Sequence, residues 1–487
     1  MNASKWLVQL VLLISLAAPG WAANHYVRAA ASGSADGSDW TNACTDFTGS
    51  CAVASLVRGD TYYVGTGTYG SRTFNTAVSG TLVITIRGAT ASEHGTDTGW
   101  QASYGVDVAQ ATFGTGMVIA RSYITFDGAV GPVWSGSAAA YGFRIALPSN
   151  CSADQLGMQI IDVTPAVISN VTVKRVSWLG CGPSFDGFRQ QGIYVGANVG
   201  IGDDSTQDIT ISTLYLDDGI TPLIVDRAVR VTVEYVFIDD NWSGVFHGVS
   251  VQNRNVDDVI YRYNRIENST GTGGICGYDN FIRNVKIYAN LFVANGGGNG
   301  LICSGDGGSV GLDGWLVYNN TIVDAPANFF FSTHASTANN FIRNNLLYKS
   351  EPFISATAGI THEYNTYLDS LNTPESEPNG QIDTFNPFVN YASGNYHLAN
   401  GTSVDAGLSL GSPYSSDPDG LTRGGDGKWD RGIYEFSAGQ PRSFHYQPIR
   451  STVRLALFLA TLALAAITYR RWVTQPDTAA PCKVKTS

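Results

Sequence analysis

A six-residue phrase with Asn at its fourth position recurs five times in the C-terminal half of this chain, and it limits the possible folds more than any other feature. The aligned Asn residues are 26, 30, 25 and 20 residues apart. A short, nearly regular period of this kind indicates a repeat architecture in which each unit packs only against its neighbours. The five copies are Tyr261–Ile266, Ile287–Phe292, Val317–Ile322, Ile342–Leu347 and His362–Tyr367.

The column of aligned residues changes its chemistry along the chain. Earlier copies of the phrase place Val176, Leu214 and Val236 where the later copies have Asn. Asn amides that stack at successive turns can bond to one another and to the backbone, which satisfies polar groups that one repeat would leave buried and unpaired. We therefore expect a stack with an aliphatic N-terminal half and a C-terminal half with an Asn ladder, formed by Asn264, Asn290, Asn320, Asn345 and Asn365.

A second family of short strands follows these turns. Two strand families in each repeat favour a helical stack of β-strands over a β-sandwich. An α-helical solenoid is excluded because no segment between the chain ends keeps a 3.6-residue apolar period over ten or more residues. The blades of a β-propeller need about 40 residues each, which is longer than the observed period. The second strands are Gly192–Val195, Pro222–Val225, Gly244–His247, Gly274–Cys276, Gly300–Cys303 and Asn328–Phe331.

Hydrophobic segments lie at both ends of the chain. Residues 1–23 combine Lys5, an apolar run and a small-residue exit, which is the pattern of a secretory signal peptide; a buried N-terminal helix is the alternative. Residues 454–472 predict a short transmembrane helix with a cytoplasmic tail at 473–487, or else a sorting tail that is cleaved after export. Between them we expect a β-helix at 24–400, an anchor-associated module at 401–437 and a linker at 438–453.

The cysteines fit this topology, since six of the seven lie between the two hydrophobic segments and Cys482 lies beyond the second. The six can pair in an oxidising compartment. Cys44 and Cys51 are close enough in sequence to form a bridge within one loop. Cys151 with Cys181 and Cys276 with Cys303 are predicted to join adjacent rungs, with free buried thiols as the alternative for these two pairs.

The charge balance restricts the partners. A net charge of −11 with only 29 basic residues excludes a nucleic-acid surface, and it disfavours an unassisted grip on an acidic polysaccharide. Charged residues make up 14% of the chain and there are 55 glycines. This composition is typical of an extended β architecture with frequent turns.

Three regions resemble the right-handed β-helix repeat proteins of the pectate-lyase-like superfamily. Tyr26–Tyr69 is similar to the N-terminal cap and first rung of that family, and Val83–Gly88 and Tyr123–Gly128 are similar to its early rungs. Gly401–Gly407 with the Asp417–Glu435 region resembles a C-terminal module called choice-of-anchor Q, although the first phrase departs from the usual Ser-Pro-Ala-Ile-Asp-Ala-Gly. The resemblance implies an all-β, right-handed parallel β-helix with a C-terminal hydrophobic helix, exported to the periplasm or cell surface and anchored in a membrane.

Positions at or just after the second strands supply the residue types of a polysaccharide lyase. His247, Asp279 and Asp306 fall on successive rungs, and Arg283 is close in sequence. In such an enzyme Asp279 and Asp306 would hold Ca²⁺, Arg283 would neutralise the substrate carboxylate and His247 would remove the α-proton. The alternative is that these aspartates only form turns and that His247 lies on the surface.

Pairs of adjacent aspartates suggest a glycoside hydrolase instead, because that chemistry requires two carboxylates at a defined separation. The pair Asp217–Asp218 precedes Asp239–Asp240 by 22 residues, so the two pairs are expected to stack. Polygalacturonases of this fold carry a Gly-His-Gly and an Arg-Ile-Lys motif. Phe246–Gly248 matches the first only in part and Arg283–Lys286 does not match the second, so that activity is not assigned.

A further group of aspartates near the C-terminus is a candidate calcium site. Asp417, Asp419, Asp426 and Asp430 lie around tight Gly-containing loops, and hard cations prefer several oxygen ligands. A cluster of polar turns is the alternative. Taken together, the sequence predicts an exported, anchored β-helix protein that binds or processes a polysaccharide, as a lyase in the first instance, or else a non-enzymatic surface rod.

Overall fold

The structure is a computed structural model that describes most of the chain between residues 22 and 436. The chain divides into two units, Met1–His445 and Tyr446–Ser487, and all described residues belong to the first. Only the backbone is described at residues 279–281, 311, 329–331, 336 and 337. The described ranges are 22–147, 151, 153–161, 167–182, 187–197, 206–242, 248–271, 273–293, 301–304, 311–325, 329–331, 336–352, 359–400 and 404–436.

The described chain forms rungs with three strand faces, which we name A, B and C in the order in which the chain passes through them. Strands of neighbouring rungs pair in parallel on each face. This arrangement confirms the predicted parallel β-helix. Face A contains Asn24–Val27, Thr61–Val64, Ile84–Gly88, Ile124–Asp127, Ile168–Lys174, Thr206–Ser212, Ala228–Glu234, the second parts of Val249–Arg262 and Gly273–Tyr288, Gly311–Asp313, Leu316–Tyr318, Ser336–Ala338, Asn340–Arg343 and Ile360–Glu363.

Face B is a sheet of twelve short strands, whereas face C combines short strands with longer ones such as Gln155–Ile161. Face B contains Gly67–Tyr69, Ala111–Gly114, Phe143–Ala146, Val176–Leu179, Tyr215–Asp217, Phe237–Asp239, Arg265–Glu267, Leu291–Val293, Thr321–Val323, Leu346–Tyr348, Thr366–Leu368 and Gln381–Asp383. Face C contains Thr73–Phe74, Met117–Ile119, Gln155–Ile161, Gln190–Gly196, Thr221–Asp226, the first parts of Val249–Arg262 and Gly273–Tyr288, Ile302–Ser304 and Phe329–Phe331.

The few elements outside these faces are small. Phe388–Asn390 and Asn395–Leu398 form a two-stranded antiparallel sheet. The 3₁₀ helices are Gly49–Cys51, Val53–Ser55, Ala102–Tyr104, Ala138–Ala140 and Tyr391–Ser393.

Alternation along each strand fills the interior of the stack. Val171 and Val173 point into the core and are at most 1% exposed, whereas Thr172 between them is half-buried on the outer surface. β-branched residues suit such a pleated strand because their restricted χ1 angle packs well against the next rung. One continuous cluster of buried apolar side chains extends through the stack from Val27 to Tyr367.

The predicted Asn ladder is present at the corner between faces A and B. The Oδ1 atom of Asn320 accepts from the backbone N–H and the Nδ2 of Asn290, at 3.0 Å each. The Nδ2 of Asn320 donates in turn to Asn345 Oδ1 and to the carbonyl of Ile287. The same pattern links Asn264 to Asn290 and Asn345 to Asn365. Below the ladder, Val176, Leu214 and Val236 occupy the same column and are fully buried, as expected.

The residue before each member of this column turns the chain. These residues have φ between +52° and +61°, from Arg175 to Tyr364. A second left-handed corner follows six of the face B strands, where φ lies between +49° and +58° at Asp218, Asp240, Asn268, Asp324, Lys349 and Asp369. Asp and Asn adopt this conformation more readily than other side chains. One member of each stacked acidic pair is therefore a corner residue.

The three predicted disulfides are formed, between Cys44 and Cys51, Cys151 and Cys181, and Cys276 and Cys303. Cys276 and Cys303 face each other on adjacent rungs of face C. No helix in the described part of the chain is long and apolar enough to cross a membrane. The predicted signal peptide, linker, membrane segment and tail lie outside the described residues.

Residues 404–436 pack on the outside of the stack. The backbone N–H of Ile433 donates to Thr321 Oγ1 and Arg431 donates to Thr366 Oγ1, and both threonines belong to face B. Asn344 Nδ2 donates to the carbonyl of Leu408. The segment thus covers the laddered half of face B.

Candidate functional site

Stacked carboxylates lie on the outer surface of face B, below the laddered half. Asp217 and Asp239 are direct neighbours on adjacent rungs, and Glu267 occupies the same column one rung further, since Ile238 pairs with Ile266. Asp240 is the corner residue that follows Asp239. Oxygen atoms of Asp217, Asp239 and Asp240 lie within 4.8 Å of one another. The predicted stacking of the two acidic pairs is therefore observed.

These carboxylates differ in burial and in their hydrogen bonds. Asp217 is fully buried and accepts a 2.8 Å hydrogen bond from the hydroxyl of Tyr215 at Oδ2. Asp239 is 8% exposed, and its Oδ1 accepts a 2.8 Å bond from Nδ2 of Asn268. Asp240 is half-buried and is the most accessible of the three. Asn268 leaves Oδ2 of Asp239 as the oxygen that is able to carry a proton.

The electrostatics of the cluster favour a protonated Asp239. Burial, followed by the charges of Asp240, Asp217 and Glu267, raises the pKa of Asp239 to about 8, and the hydrogen bond from Asn268 offsets only part of this shift. A carboxyl group with such a pKa holds its proton at neutral pH and is able to donate it. Perturbed carboxyls of this kind are concentrated at functional sites, although structural networks also produce them.

Side chains from the C-terminal part of the chain lie beside the cluster. Arg265 is paired with Glu267, with Nε 2.7 Å from Oε1, and both side chains are buried. Burial raises the pKa of Tyr396, and the charge of Glu267 adds to the shift, which places this tyrosine next to the carboxylate column. Tyr434 stacks on His397 with ring centroids 3.9 Å apart. Burial raises the pKa of Tyr434, the charge of Asp419 adds to the shift, and the nearby charge of Arg265 opposes it.

The residues predicted for a lyase are not all described. His247 and Asp306 lie outside the described residues, and only the backbone of Asp279 is described. Asp279 falls where the pairing register shifts between Val249–Arg262 and Gly273–Tyr288. Arg283 lies on face A, is 46% exposed and forms a 2.9 Å ion pair with Asp257. The lyase set therefore stays a prediction, with Arg283 engaged by a protein carboxylate.

The four aspartates predicted to hold Ca²⁺ have protein partners in the structure. Buried Asp417 accepts from the backbone N–H groups of Asp419, Leu421 and Glu435. Asp419 bonds to His397 at 2.7 Å, and Asp426 accepts from the N–H of Lys428. The pKa of Asp430 is raised by burial to about 7. Among the described residues, the group of three carboxylates whose oxygens converge is the one on face B.

Four tryptophans whose rings are large enough to stack on a sugar, Trp134, Trp178, Trp242 and Trp315, are in packing positions. Trp178 and Trp315 are at most 1% exposed, and Trp134 and Trp242 are 8% and 7% exposed. Trp178 packs against the glycines Gly157, Gly192 and Gly219, where a Cβ atom would collide with its ring. These side chains fill the turns, so an aromatic platform for sugar at these four positions is not observed.

Two members of the site, Glu267 and Asn268, were not predicted. Both follow from the repeat: Asp217, Asp239 and Glu267 each lie three residues after the column of Leu214, Val236 and Asn264. In the sequence, the doubled aspartates are conspicuous as pairs. The position three residues after the column is what identifies a side chain that points outward from face B. A single Glu followed by Asn carries no signal until the repeats are aligned.

Comparison with known proteins identifies fold-level similarity only. No protein-family model matches the chain, and no curated protein matches it. The pectate lyase Pel9A is 12% identical over 86% of this chain and 98% of its own, with a TM-score of 0.43. XylC in complex with xylose is 10% identical over 85% and 98%, with a TM-score of 0.47. The polysaccharide lyase Pedsa3628 from Pseudopedobacter saltans is 10% identical over 72% and 93%, with a TM-score of 0.40. Similarities at this level identify neither a reaction nor a substrate for this chain.

Proposed function

We propose that this protein hydrolyses a glycosidic bond of a polysaccharide on face B, with Asp239 as general acid and Asp240 as the partner carboxylate. The observation that carries the proposal is the convergence of Asp217, Asp239 and Asp240, whose oxygens lie within 4.8 Å of one another, and the raised pKa of Asp239, about 8, supports it. Glycosidases require one carboxyl that is protonated and one that is ionised at the same pH. A buried acid beside a more accessible one meets this requirement.

The reaction assigns a role to each carboxylate. Oδ2 of Asp239 transfers its proton to the glycosidic oxygen as the bond to the anomeric carbon breaks, and an oxygen of Asp240 attacks that carbon to form a glycosyl ester. Water then attacks the ester, its proton returns to Asp239, and Asp240 is released as a carboxylate. Asp217 is a positioning residue whose buried carboxylate, held by Tyr215, helps to keep Asp239 protonated.

The separation of the carboxylates predicts the stereochemical outcome. One oxygen of Asp239 lies within 4.8 Å of one oxygen of Asp240, which fits the ~5–5.5 Å separation of the carboxyls in a retaining pair better than the ~6.5–9.5 Å of an inverting pair, where room is left for a water molecule. We therefore expect retention of the anomeric configuration. Proton NMR of the first product formed would show the same anomer as the substrate, and an inverted first product would contradict the role of Asp240 as nucleophile.

The experiment that tests the proposal is reducing-end release from a panel of neutral and acidic polysaccharides. We expect Asp239→Asn and Asp240→Asn each to lower the rate by about 10²–10⁴-fold. Asp369→Asn is the matched control, because Asp369 is a left-handed corner residue like Asp240 but lies in a distant rung and is 48% exposed. No activity on any substrate, or activity that survives Asp239→Asn, would refute the assignment.

The same assay separates the competing functions. Products with unsaturated, ultraviolet-absorbing ends that depend on Ca²⁺ would indicate a lyase, with the carboxylate group on face B as its cation site. The continuous Asn ladder would also suit a structural rod without enzymatic activity, and such a rod would give no product and would not retain glycans.

We also propose that the protein is exported and anchored by residues 454–472. The three disulfides support an oxidising compartment.

A further inference from the structure

The first strand of face A begins beside a buried carboxylate. The backbone N–H of Ala23 donates to Oδ1 of Asp60 at 2.8 Å, and Nε2 of His25 lies 2.9 Å from Oδ2. The side chain of Asp60 is 8% exposed, and among the described residues its ion-pair partner is His25, a ring that is charged only when it is protonated. Burial of a carboxylate is costly unless a cation pairs with it. A positive charge on the nitrogen of Ala23 would therefore stabilise this site.

The sheet fixes the position of that nitrogen. The carbonyl of Ala23 accepts from the backbone N–H of Thr61 at 3.0 Å. Asn24 is paired with Thr61, and the parallel register continues from there to Val27 and Val64. Strand pairing, rather than the residues that precede Ala23, thus holds the nitrogen against Asp60. Ala23 is itself exposed, so an ammonium group at this position keeps part of its hydration.

The sequence before the strand offers two neighbouring bonds for removal of the predicted signal peptide. Such leaders end in a small residue, with a second small residue two positions earlier. Gly20 and Ala22 meet this requirement for a cut between Ala22 and Ala23. A cut after Ala23, which is the boundary expected from the sequence alone, would put Trp21 at the earlier position. It would also remove the nitrogen that donates to the buried carboxylate.

We propose that a signal peptidase cuts the bond between Ala22 and Ala23, and that the new α-ammonium group of Ala23 forms an ion pair with Asp60. Hydrolysis adds one water molecule across the bond and leaves a carboxylate on Ala22 and an ammonium group on Ala23. The nitrogen keeps its place in the sheet and gains a charge and two donors. A charge-assisted hydrogen bond is about twice as strong as a neutral one.

Removal of the leader therefore completes the first strand of the stack, because it converts a neutral donor into the cation that the buried carboxylate requires. The processing site and the folded N-terminus are matched to each other at a single bond. This inference rests on the proposed export of the protein and is independent of the proposed hydrolysis on face B.

Amino-terminal sequencing of the exported protein tests the processing site. The full-length gene is expressed in a secreting bacterial host, and the protein is recovered from the exported fraction. We expect Ala23 as the first residue. Asn24 or any other first residue would overturn the inference and leave the proposed export intact. Recovery of the uncleaved chain alone would overturn both.

The pKa of the α-amino group tests the ion pair. It is measured as the pH dependence of trace acetylation, followed by mass spectrometry of the N-terminal peptide. A carboxylate in contact with an ammonium group favours the charged form, so we expect a pKa about one unit or more above the usual ~7.7–8.0. Asp60→Asn should return it to that range. Asp107→Asn is the matched control, since Asp107 also accepts from a backbone N–H, that of Ala91, and the raised pKa should persist.

A chain that begins at Ala22, released from a cleavable fusion partner, provides a second comparison that leaves the core unchanged. It keeps the N–H of Ala23 but moves the charge one residue away from Asp60, so its α-amino group should have an ordinary pKa. His25 and Tyr62, the other titratable groups beside this carboxylate, are the same in every variant. An ordinary pKa in the chain that begins at Ala23, or equal pKa values in the two chains, would overturn the ion pair even if Asp60→Asn does not fold.

Discussion

Replacing Asp239 with Asn should stabilise the protein at alkaline pH. The pKa of Asp239 is 3.8 in a model peptide and about 8 in the fold, so the folded state keeps a proton that the unfolded chain has lost between these values. Across this interval the wild-type protein loses stability as pH rises, by up to ~1.4 kcal/mol per pH unit. Asn has no charge to bury and its Oδ1 still accepts from Asn268, so the variant escapes this loss.

The expected magnitude follows from the interval. Between about pH 5 and about pH 8 the variant should gain up to roughly 4 kcal/mol in unfolding free energy relative to wild type, and the gain should level off above about pH 8. Thermal midpoints recorded across this range would measure the difference. Asp383→Asn is the control, since Asp383 is exposed and its Oδ1 accepts from the backbone N–H of Thr384, which does not titrate, and its difference from wild type should not change in this window. A pH-independent difference for Asp239→Asn, or a loss of stability at about pH 9, would refute the account of the cluster.

Three further predictions concern the scaffold. Asn320→Ala removes the acceptor of the Asn290 amide groups and the donor to the Ile287 carbonyl, so chemical denaturation should show a loss of about 2–4 kcal/mol, whereas a change below ~0.5 kcal/mol would argue against a stabilising ladder. Glu377→Gln should expose the last rungs to proteolysis. The Glu377 carboxylate accepts from the N–H and Nδ2 of Asn365 at the end of the ladder, and an amide offers one acceptor oxygen instead of two. Cleavage at the wild-type rate would contradict this prediction. Replacing Cys276 and Cys303 with Ser should cost about 3 kcal/mol by freeing a loop with a sequence separation of 27, and an unchanged midpoint would show that the bridge is dispensable.

The repeat made the fold predictable from sequence. The column of Asn264, Asn290 and Asn320 defined the corner between faces A and B, because an Asn amide is buried without cost only when another rung satisfies it. The third face was not predicted, since strands of face B have only three residues in most rungs and show no alternation long enough to recognise. The left-handed corners were also hidden, because Tyr263, Ala289 and Arg175 hold this conformation without a common residue type.

The site was predicted only in part, because the two adjacent aspartates of each pair occupy different structural positions. In Asp217–Asp218 and Asp239–Asp240 the first residue points out of face B and the second turns the corner, and sequence alone treats them as equivalent. Composition also gave no means to assign a high pKa to Asp239. That value arises from burial and from Asp217 and Glu267, which lie 22 residues before it and 28 residues after it in the chain.

The outward column of face B groups its buried acidic residues in one part of the stack, and a further acidic member, Asp383, is exposed at the end of the face. The column contains Asp217, Asp239 and Glu267 and then changes to Val293, Val323, Tyr348 and Leu368, all of them buried. The change falls where residues 404–436 begin to cover the face, as shown by the contact of Ile433 with Thr321. An apolar side chain is favourable under such a cover, whereas three converging carboxylates destabilise the fold at neutral pH unless a proton or a cation neutralises them. In the neighbouring rungs, Val fills the same column position and supplies the packing that the acidic residues supply here. Packing therefore does not explain the carboxylates, which favours a functional over a structural role for Asp239 and Asp240.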